Sequence, residues 1–379
     1  MTSSPSVPRF KLLFLVTEDW YFCSHRLPLA CAARDAGFEV FVATRVHSHG
    51  AQITAAGLHL IPLGLRRSSR NPWRELAAIH EIARIYRRIA PDIVHHVAMK
   101  PVLYGSVAAK IVGVPVVVNA LAGMGYVFTS RKPSAQLLRP LITLALRFLL
   151  KNGRVILQNP DDRAALIKAG VLKAEQVTLI RGSGVDTALF QYTPEPGGAP
   201  LVVLPARMLW DKGVGEFVAA ATALKQEGID ARFVLAGERD PDNPADIPLE
   251  QLQAWHESGN VAWLGKQEDM PSLLAQANIV CLPSYREGLP KALLEAASCG
   301  RAIVATDVPG CREAVQHNQN GLLAPARNAA DLAAALRLLI ENPPLRRQFG
   351  LRGREMAEQE FSVEKITAET LALYRELLP

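Results

Sequence analysis

From one end of the chain to the other, short apolar runs alternate with longer stretches whose apolar residues recur every three or four positions. A strand covered on both faces reads as an unbroken apolar run, and the helical stretches supply the crossovers that parallel strands need. This alternation predicts an α/β chain built on parallel sheets. In the first half, strands are expected near 10–16, 39–43, 58–61, 92–95, 115–118, 154–157 and 177–180. A helix from Pro72 to Ile89 is expected to place Leu76, Ile79, Ala83 and Tyr86 on one face. The segment from Tyr192 to Pro200, Tyr-Thr-Pro-Glu-Pro-Gly-Gly-Ala-Pro, breaks both patterns and is the best candidate linker. Beyond it, strands are expected near 201–205, 231–236, 260–264, 278–282, 302–305 and 321–323, and three helical stretches close the chain. Two halves result, and the 379 residues exceed what one core of about 250–300 residues comfortably serves.

Composition narrows the function classes. With 49% hydrophobic and 21% charged residues the chain is globular, neither disordered nor fibrous. Its five cysteines, Cys23, Cys31, Cys281, Cys299 and Cys311, contain no CxxC pair, which argues against a disulfide framework or zinc ribbon and for a reducing compartment. The run Leu12–Val16 is too short for a signal peptide, and no stretch of 18 apolar residues suggests a membrane span. The net charge of +6 conceals an asymmetry: residues 1–190 hold 24 Lys and Arg against 11 Asp and Glu, while 191–379 hold 18 against 25. A basic half implies an anionic partner, either nucleic acid or the inner face of a membrane. Nucleic acid would call for aromatics interleaved with the basic clusters, where only Trp73 and Tyr86 lie nearby, so no nucleic-acid partner is expected.

Ligands of parallel sheets bind beyond the carboxyl ends of the strands, so those loops carry the chemistry. After Leu201–Leu204 comes Pro205-Ala206-Arg207-Met208-Leu209-Trp210-Asp211-Lys212-Gly213. Two cations beside a helix entrance suit a diphosphate, although two exposed surface cations would read the same way. After Ile279–Leu282 comes Pro283-Ser284-Tyr285-Arg286-Glu287-Gly288-Leu289-Pro290, then a helix containing Glu295 and ending at Gly300. Gly288 and Leu289 can present backbone N–H groups to phosphate, and a carboxylate accepts two sugar hydroxyls well. Two glutamates eight apart mean nothing alone; their place on a strand–loop–helix downstream of Arg207 and Lys212 carries the weight. Gly123-x-Gly125 hints at a dinucleotide fingerprint but lacks its third glycine.

The block PSYREGLPKALLEAASCGRAIVATDVPGCREAV resembles the signature of retaining nucleotide-sugar glycosyltransferases of family 4. Its E-x7-E pair is Glu287 and Glu295, with Arg207 and Lys212 matching the family's diphosphate-binding cations. Arg181–Asp186 resembles the family's Gly-Val-Asp turn, and Asn320–Leu323 its late Asn-Gly-Leu-Leu strand. The resemblance implies a GT-B fold: two Rossmann-like domains facing each other across a cleft, with closure between them. The expected layout is an acceptor domain over 1–192, a linker over 193–200, a nucleotide-sugar domain over 201–360, and a C-terminal helix over 361–379 packing back toward the first domain. Glu295 would hold the ribose, Glu287 the donor sugar, and Gly288 and Leu289 the diphosphate, while Arg207 and Lys212 neutralise the departing UDP. The nucleobase pocket would lie near Gly265 and Lys266. No cofactor or metal is implied; the UDP-sugar is the donor substrate.

The first half departs from the broad family, where many members carry His-x-His after the fourth strand. This chain reads His95-His96-Val97-Ala98-Met99-Lys100, so His96 or Lys100 takes over that role, or the histidines are packed at a strand end. The loop Thr17–Arg26, Arg26-Leu27-Pro28 and Ala122–Tyr126 look like a narrower bacterial group acting on undecaprenyl-diphosphate-linked sugars. Candidate acceptor-binding residues are then His25, Arg26, His96, Lys100, Gly123, Arg66, Arg67 and Arg70. The apolar stretch 137–150, bracketed by Arg131, Lys132, Lys151 and Arg154, suits a helix lying at a membrane interface or a core helix with basic ends. The expected partners are a UDP-sugar, a polyprenyl-diphosphate-linked saccharide and an anionic membrane surface, placing the protein in the cytoplasm against the inner face. A transferase with a soluble acceptor and a UDP-sugar 2-epimerase are the alternatives.

Overall fold

The computed structural model describes residues 10–65, 71–121 and 133–379, with backbone alone for 133–139. It divides into two compact units: the chain up to Ser183 together with Ile366–Pro379, and Gly184–Lys365.

In the first unit the strands are β1 (Lys11–Glu18), β2 (Glu39–Arg45), β3 (His59–Pro62), β4 (Ile93–Val97), β5 (Val116–Leu121), β6 (Arg154–Leu157) and β7 (Val177–Leu179). The helices are α1 (Asp19–His25), α2 (Leu27–Asp35), α3 (Gly50–Ala55), α4 (Pro72–Ile89), α5 (Met99–Val112), α6 (Pro133–Leu149) and α7 (Pro160–Lys168). The strands form one parallel sheet in the order β3-β2-β1-β4-β5-β6-β7. Leu12 to Val16 are almost wholly buried, as a central strand covered on both faces must be. Helix α4 starts where Asn71 accepts a hydrogen bond from the Trp73 N–H at 3.0 Å, with Pro72 at its first position. Its buried face is Ala78, Ile82, Ala83, Ile85, Tyr86 and Ile89. Leu76, expected on that face, is 58% exposed, because at about 100° per residue it sits a third of a turn from the face's centre.

The second unit holds β8 (Leu201–Pro205), β9 (Arg232–Ala236), β10 (Ala262–Trp263), β11 (Ile279–Leu282), β12 (Ala302–Thr306) and β13 (Gly321–Ala324). Between and after them run α8 (Val214–Gln226), α9 (Leu249–Glu257), α10 (Met270–Gln276), α11 (Lys291–Ser298), α12 (Cys311–Ala314), α13 (Ala329–Glu341), α14 (Pro343–Glu360) and α15 (Val363–Leu377). This sheet is also parallel, in the order β10-β9-β8-β11-β12-β13. In both sheets the winding reverses beside the first strand, between β1 and β4 and between β8 and β11, which opens a crevice at the strands' carboxyl ends.

The passage between units lies ahead of the Pro/Gly stretch, at Ser183/Gly184. Residues 193–200 belong to the second unit because buried arginines bind them: Arg346 pairs with Glu195 and Arg301 donates to Thr193. The return passage falls at Lys365/Ile366, inside the first turn of α15. From there α15 packs in the first unit, where Tyr374 meets Phe38 and His95 and Arg154 bonds Glu376.

Candidate active site

In the second unit the crevice between β8 and β11 gathers the charged residues. The loop leaving β8 carries Arg207 and then a single 3-10 turn, Trp210–Lys212, stopped by Gly213 in the left-handed region at φ 71°. A Cβ on Gly213 would collide with the carbonyl oxygen of Pro283, the first residue after β11. Glycine there lets the two loops touch, and the Tyr285 N–H donates to the Asp211 carbonyl at 2.9 Å. The approach brings Lys212 Nζ onto Glu287 Oε1 as an ion pair, with side chains only 22% and 11% exposed. Gly310 does the same from the other side: at φ 83° its missing Cβ leaves room for the Glu287 and Gly288 carbonyls.

Around this pair the loop is braced by side chains that sequence reasoning missed. Tyr285 donates its hydroxyl to Glu216 at 2.7 Å on α8, and the Arg327 guanidinium lies 3.8 Å from the Tyr285 ring centre. Thr306, at the end of β12, donates to the Ser284 carbonyl. Arg207 pairs with Asp240, a residue beyond the end of β9 that the strand-end rule would have flagged. Glu295 lies on α11, 3.4 Å from Lys291. Burial raises its carboxyl above the usual range, and the neighbouring Lys291 only partly offsets that. Gly265 and Lys266 follow edge strand β10, with Gly265 at φ 65° and Lys266 exposed. Among the described residues no cluster of three or more His, Cys, Asp or Glu is placed to hold a metal ion.

The crevice of the first unit lies beyond β1 and β4. Asp19 is fully buried and accepts from the N–H groups of His47 at 2.7 Å, His49 at 2.9 Å and Trp20 at 2.7 Å. Burial opposes its charge, but the three donors hold its carboxyl below the ordinary range and tie the loop after β2 to α1. Arg26, between α1 and α2, is 5% exposed, and its Nε finds no hydrogen-bond acceptor among the described residues. His25 stacks on Tyr21 with ring centres 4.2 Å apart and bonds the Ser24 hydroxyl. At the end of β4, Ala98 turns at φ 74° and starts α5, and Lys100 pairs with Glu75 at 2.9 Å.

His96 does not face this crevice. It is fully buried, with Nε2 at 2.9 Å from the Tyr86 hydroxyl and Nδ1 at 2.8 Å from Asn119 Oδ1. Burial lowers its pKa to about 4. Both nitrogens are engaged, so the ring locks β4 to α4 and β5 and has none left for an acceptor. His95 is buried on the opposite face of the strand against Tyr374, and burial first, then Arg26, holds it well below the histidine range. The histidines are thus packed within the strand, the structural alternative. Arg66, Arg67, Arg70 and Gly123 lie outside the described residues.

Comparison with known proteins agrees with both halves. Residues 11–159 match the family profile "Glycosyl transferase 4-like" and residues 185–356 match "Glycosyl transferases group 1". The chain is 32% identical over 334 residues to N,N'-diacetylbacillosaminyl-diphospho-undecaprenol alpha-1,3-N-acetylgalactosaminyltransferase of Campylobacter jejuni, covering 85% of this chain and 87% of that one. Among solved structures, HepE of Anabaena in complex with UDP superposes with a TM-score of 0.77 at 19% identity, covering 97% of this chain and all (100%) of that one. Sucrose-phosphate synthase of Thermosynechococcus elongatus gives 0.80 at 22%, covering 97% and 99%. With a 4-like first half, a group 1 second half and two parallel-sheet units of the GT-B type, the chain belongs to the glycosyltransferases.

Proposed function

We propose that the protein is a retaining, metal-independent transferase that moves a hexose or N-acetylhexosamine from a UDP-sugar to a polyprenyl-diphosphate-linked saccharide. The observation that carries this reading is the Lys212–Glu287 pair at the β8/β11 crevice, with Arg207 on the same loop as Lys212. The donor's diphosphate would draw Lys212 and Arg207 from their carboxylate partners, and Glu287, released from Lys212, would accept hydroxyls of the donor sugar. As the glycosidic bond breaks, charge grows on the departing UDP, and two fixed cations stabilise that state more than the ground state. Front-face attack within the ion pair keeps the anomeric configuration and needs no side-chain nucleophile. Glu295 would take the ribose hydroxyls, Gly288 and Leu289 would give N–H groups to the diphosphate, and Gly265 and Lys266 would border the base.

For the acceptor, Arg26 is the strongest candidate: a buried guanidinium whose Nε has no acceptor among the described residues suits an anion such as a lipid diphosphate. His25 and Lys100 lie on neighbouring segments and would join it. The name of the Campylobacter relative, with its diphospho-undecaprenol acceptor and N-acetylgalactosaminyl donor group, favours a lipid-linked acceptor and an N-acetylhexosamine here. Among the described residues no helix is long and apolar enough to cross a membrane. The reading places the work on such an acceptor at the cytoplasmic face of the membrane, where UDP-sugars are the donors.

The test is UDP release from a panel of UDP-sugars, with and without a polyprenyl-diphosphate-sugar extract, beside Glu287→Gln. Release requiring one UDP-sugar and the lipid, and lost in the variant, supports the proposal. Release with soluble acceptors alone would remove the lipid, and no release with any donor would point to the epimerase, whose product keeps its UDP, or to a different nucleotide.

A further inference from the structure

Helix α6 carries an apolar row that the protein leaves in solvent. Leu146, on its inner side, is fully buried, whereas Leu141 is 65%, Leu144 63% and Phe148 67% exposed. At about 100° per residue these three fall within about 60° of one another, so they form one stripe along the helix. The end of α5 extends it. Ile111 is 58% exposed, and its neighbour Lys110 donates to the Phe148 carbonyl while its Nζ lies 3.8 Å from the centre of the Phe148 ring.

The charge beside the stripe is predominantly positive, although Lys100 pairs with Glu75 and Arg154 with Glu376. Between Asp92 and Asp161 the sequence contains no acidic residue, while Lys100, Lys110, Arg131, Lys132, Arg139, Arg147, Lys151 and Arg154 fall in that interval. Lys110, Arg147 and Lys151 are exposed beside the stripe, and Arg84, Arg87 and Arg88 are exposed on α4, which packs against α5. Large apolar side chains flanked by the exposed cations Lys110, Arg147 and Lys151 match a bilayer whose surface is negative: the apolar groups enter the acyl boundary and the cations meet lipid phosphates. Nucleic acid has no use for the leucines.

We propose that Leu141, Leu144 and Phe148 of α6, with Ile111 of α5, form the face by which the protein seats itself in an anionic membrane. This names the membrane-binding element of the lipid-acceptor reading above and rests on it. Pro140 and Arg147 sit on the same exposed side of α6 and suit a helix lying along the interface rather than across it.

The test uses the full chain and vesicles of phosphatidylcholine with and without phosphatidylglycerol. The parent is expected to co-sediment with the anionic vesicles and little with the neutral ones. The triple variant Leu141→Gln/Leu144→Gln/Phe148→Gln is expected to partition at least about tenfold more weakly, since three large apolar groups no longer enter the boundary. UDP binding, measured by calorimetry, should be unchanged, which shows that the variant is folded. The variant should also lose transfer to vesicle-embedded acceptor while keeping transfer to a short-chain, water-soluble acceptor. In F148W, indole emission should shift to the blue on adding anionic vesicles and be quenched by bromine-labelled lipid. Unchanged partitioning of the triple variant, or F148W emission that ignores vesicles, would overturn the proposal. So would a fall in the oligomer mass of the triple variant with vesicle binding intact, which would make the stripe a contact between copies. Vesicle binding as expected, together with no transfer to any lipid acceptor, would leave this face standing and overturn the lipid-acceptor reading instead.

Discussion

His96 offers a quantitative test of how the first unit is built. Its ring is fully buried, hydrogen-bonded at both nitrogens, with a pKa near 4, and Gly105 leaves the space its Nε2 occupies. In the unfolded chain the same ring titrates near about 6.5. Between those values the unfolded state binds a proton that the folded state refuses. The contribution is therefore fully present above about pH 6.5 and is lost as pH falls toward the folded pKa of about 4. The gap of about 2.5 units corresponds to about 3 kcal/mol, since one unit is worth about 1.4 kcal/mol. The assay is urea unfolding at a series of pH values for the parent and for His96→Gln, with side-chain NMR of the histidines alongside. The parent should lose stability more steeply than the variant below about pH 6.5, by up to about 3 kcal/mol, and the ring should stay neutral at pH 5.5. Equal slopes, or a ring that titrates near 6.5, would refute the buried network and return His96 to the acceptor site.

Four further outcomes follow from the second unit and from Arg26. Glu287→Gln and Lys212→Ala should each lower turnover by at least about tenfold in a steady-state assay, as lost transition-state contacts do, with far-UV circular dichroism unchanged. Glu295→Gln should weaken UDP binding by calorimetry without lowering the unfolding midpoint. Because burial raises this carboxyl, its site loses stability as pH rises through the folded pKa, and the neutral amide removes that loss. Gly213→Ala should abolish turnover, since its Cβ would drive the Lys212 turn away from Pro283, and a variant of full activity would contradict the close approach. Arg26→Ala should raise the KM for a lipid-diphosphate acceptor while the Kd for UDP stays fixed.

The sheets were legible because each parallel strand is buried on both faces and announces itself as an apolar run: Leu12–Val16 and Ile279–Leu282 cannot be read otherwise. The strand-end rule then led to Arg207, Lys212 and Glu287, and the family resemblance gave them roles. What escaped the sequence depends on three-dimensional partnership. Glu216 is an ordinary surface-type acid until the fold sets it beneath the Tyr285 hydroxyl, and Asp240, although it follows a strand end, shows no partner until the fold sets it beside Arg207. The histidine pair of β4 carries no mark that separates a ligand from a packed ring; the Tyr86, Asn119 and Tyr374 partners decide it, and one of them lies 279 positions away. The passage between units escaped as well, because Pro and Gly mark irregular backbone but not its attachment, and here buried Arg346 and Arg301 hold the irregular stretch to one unit.

The central claim is transfer with retention onto a lipid-linked sugar, and the direct measurement is the product itself. The full chain would be incubated with its UDP-sugar and a chemically defined polyprenyl-diphosphate sugar, and the lipid product isolated for mass and for NMR of the new anomeric centre. The account predicts one added hexose or N-acetylhexosamine, still on the lipid, with the α configuration of the donor. A β-linked product, or UDP released while the lipid gains no sugar, would contradict it.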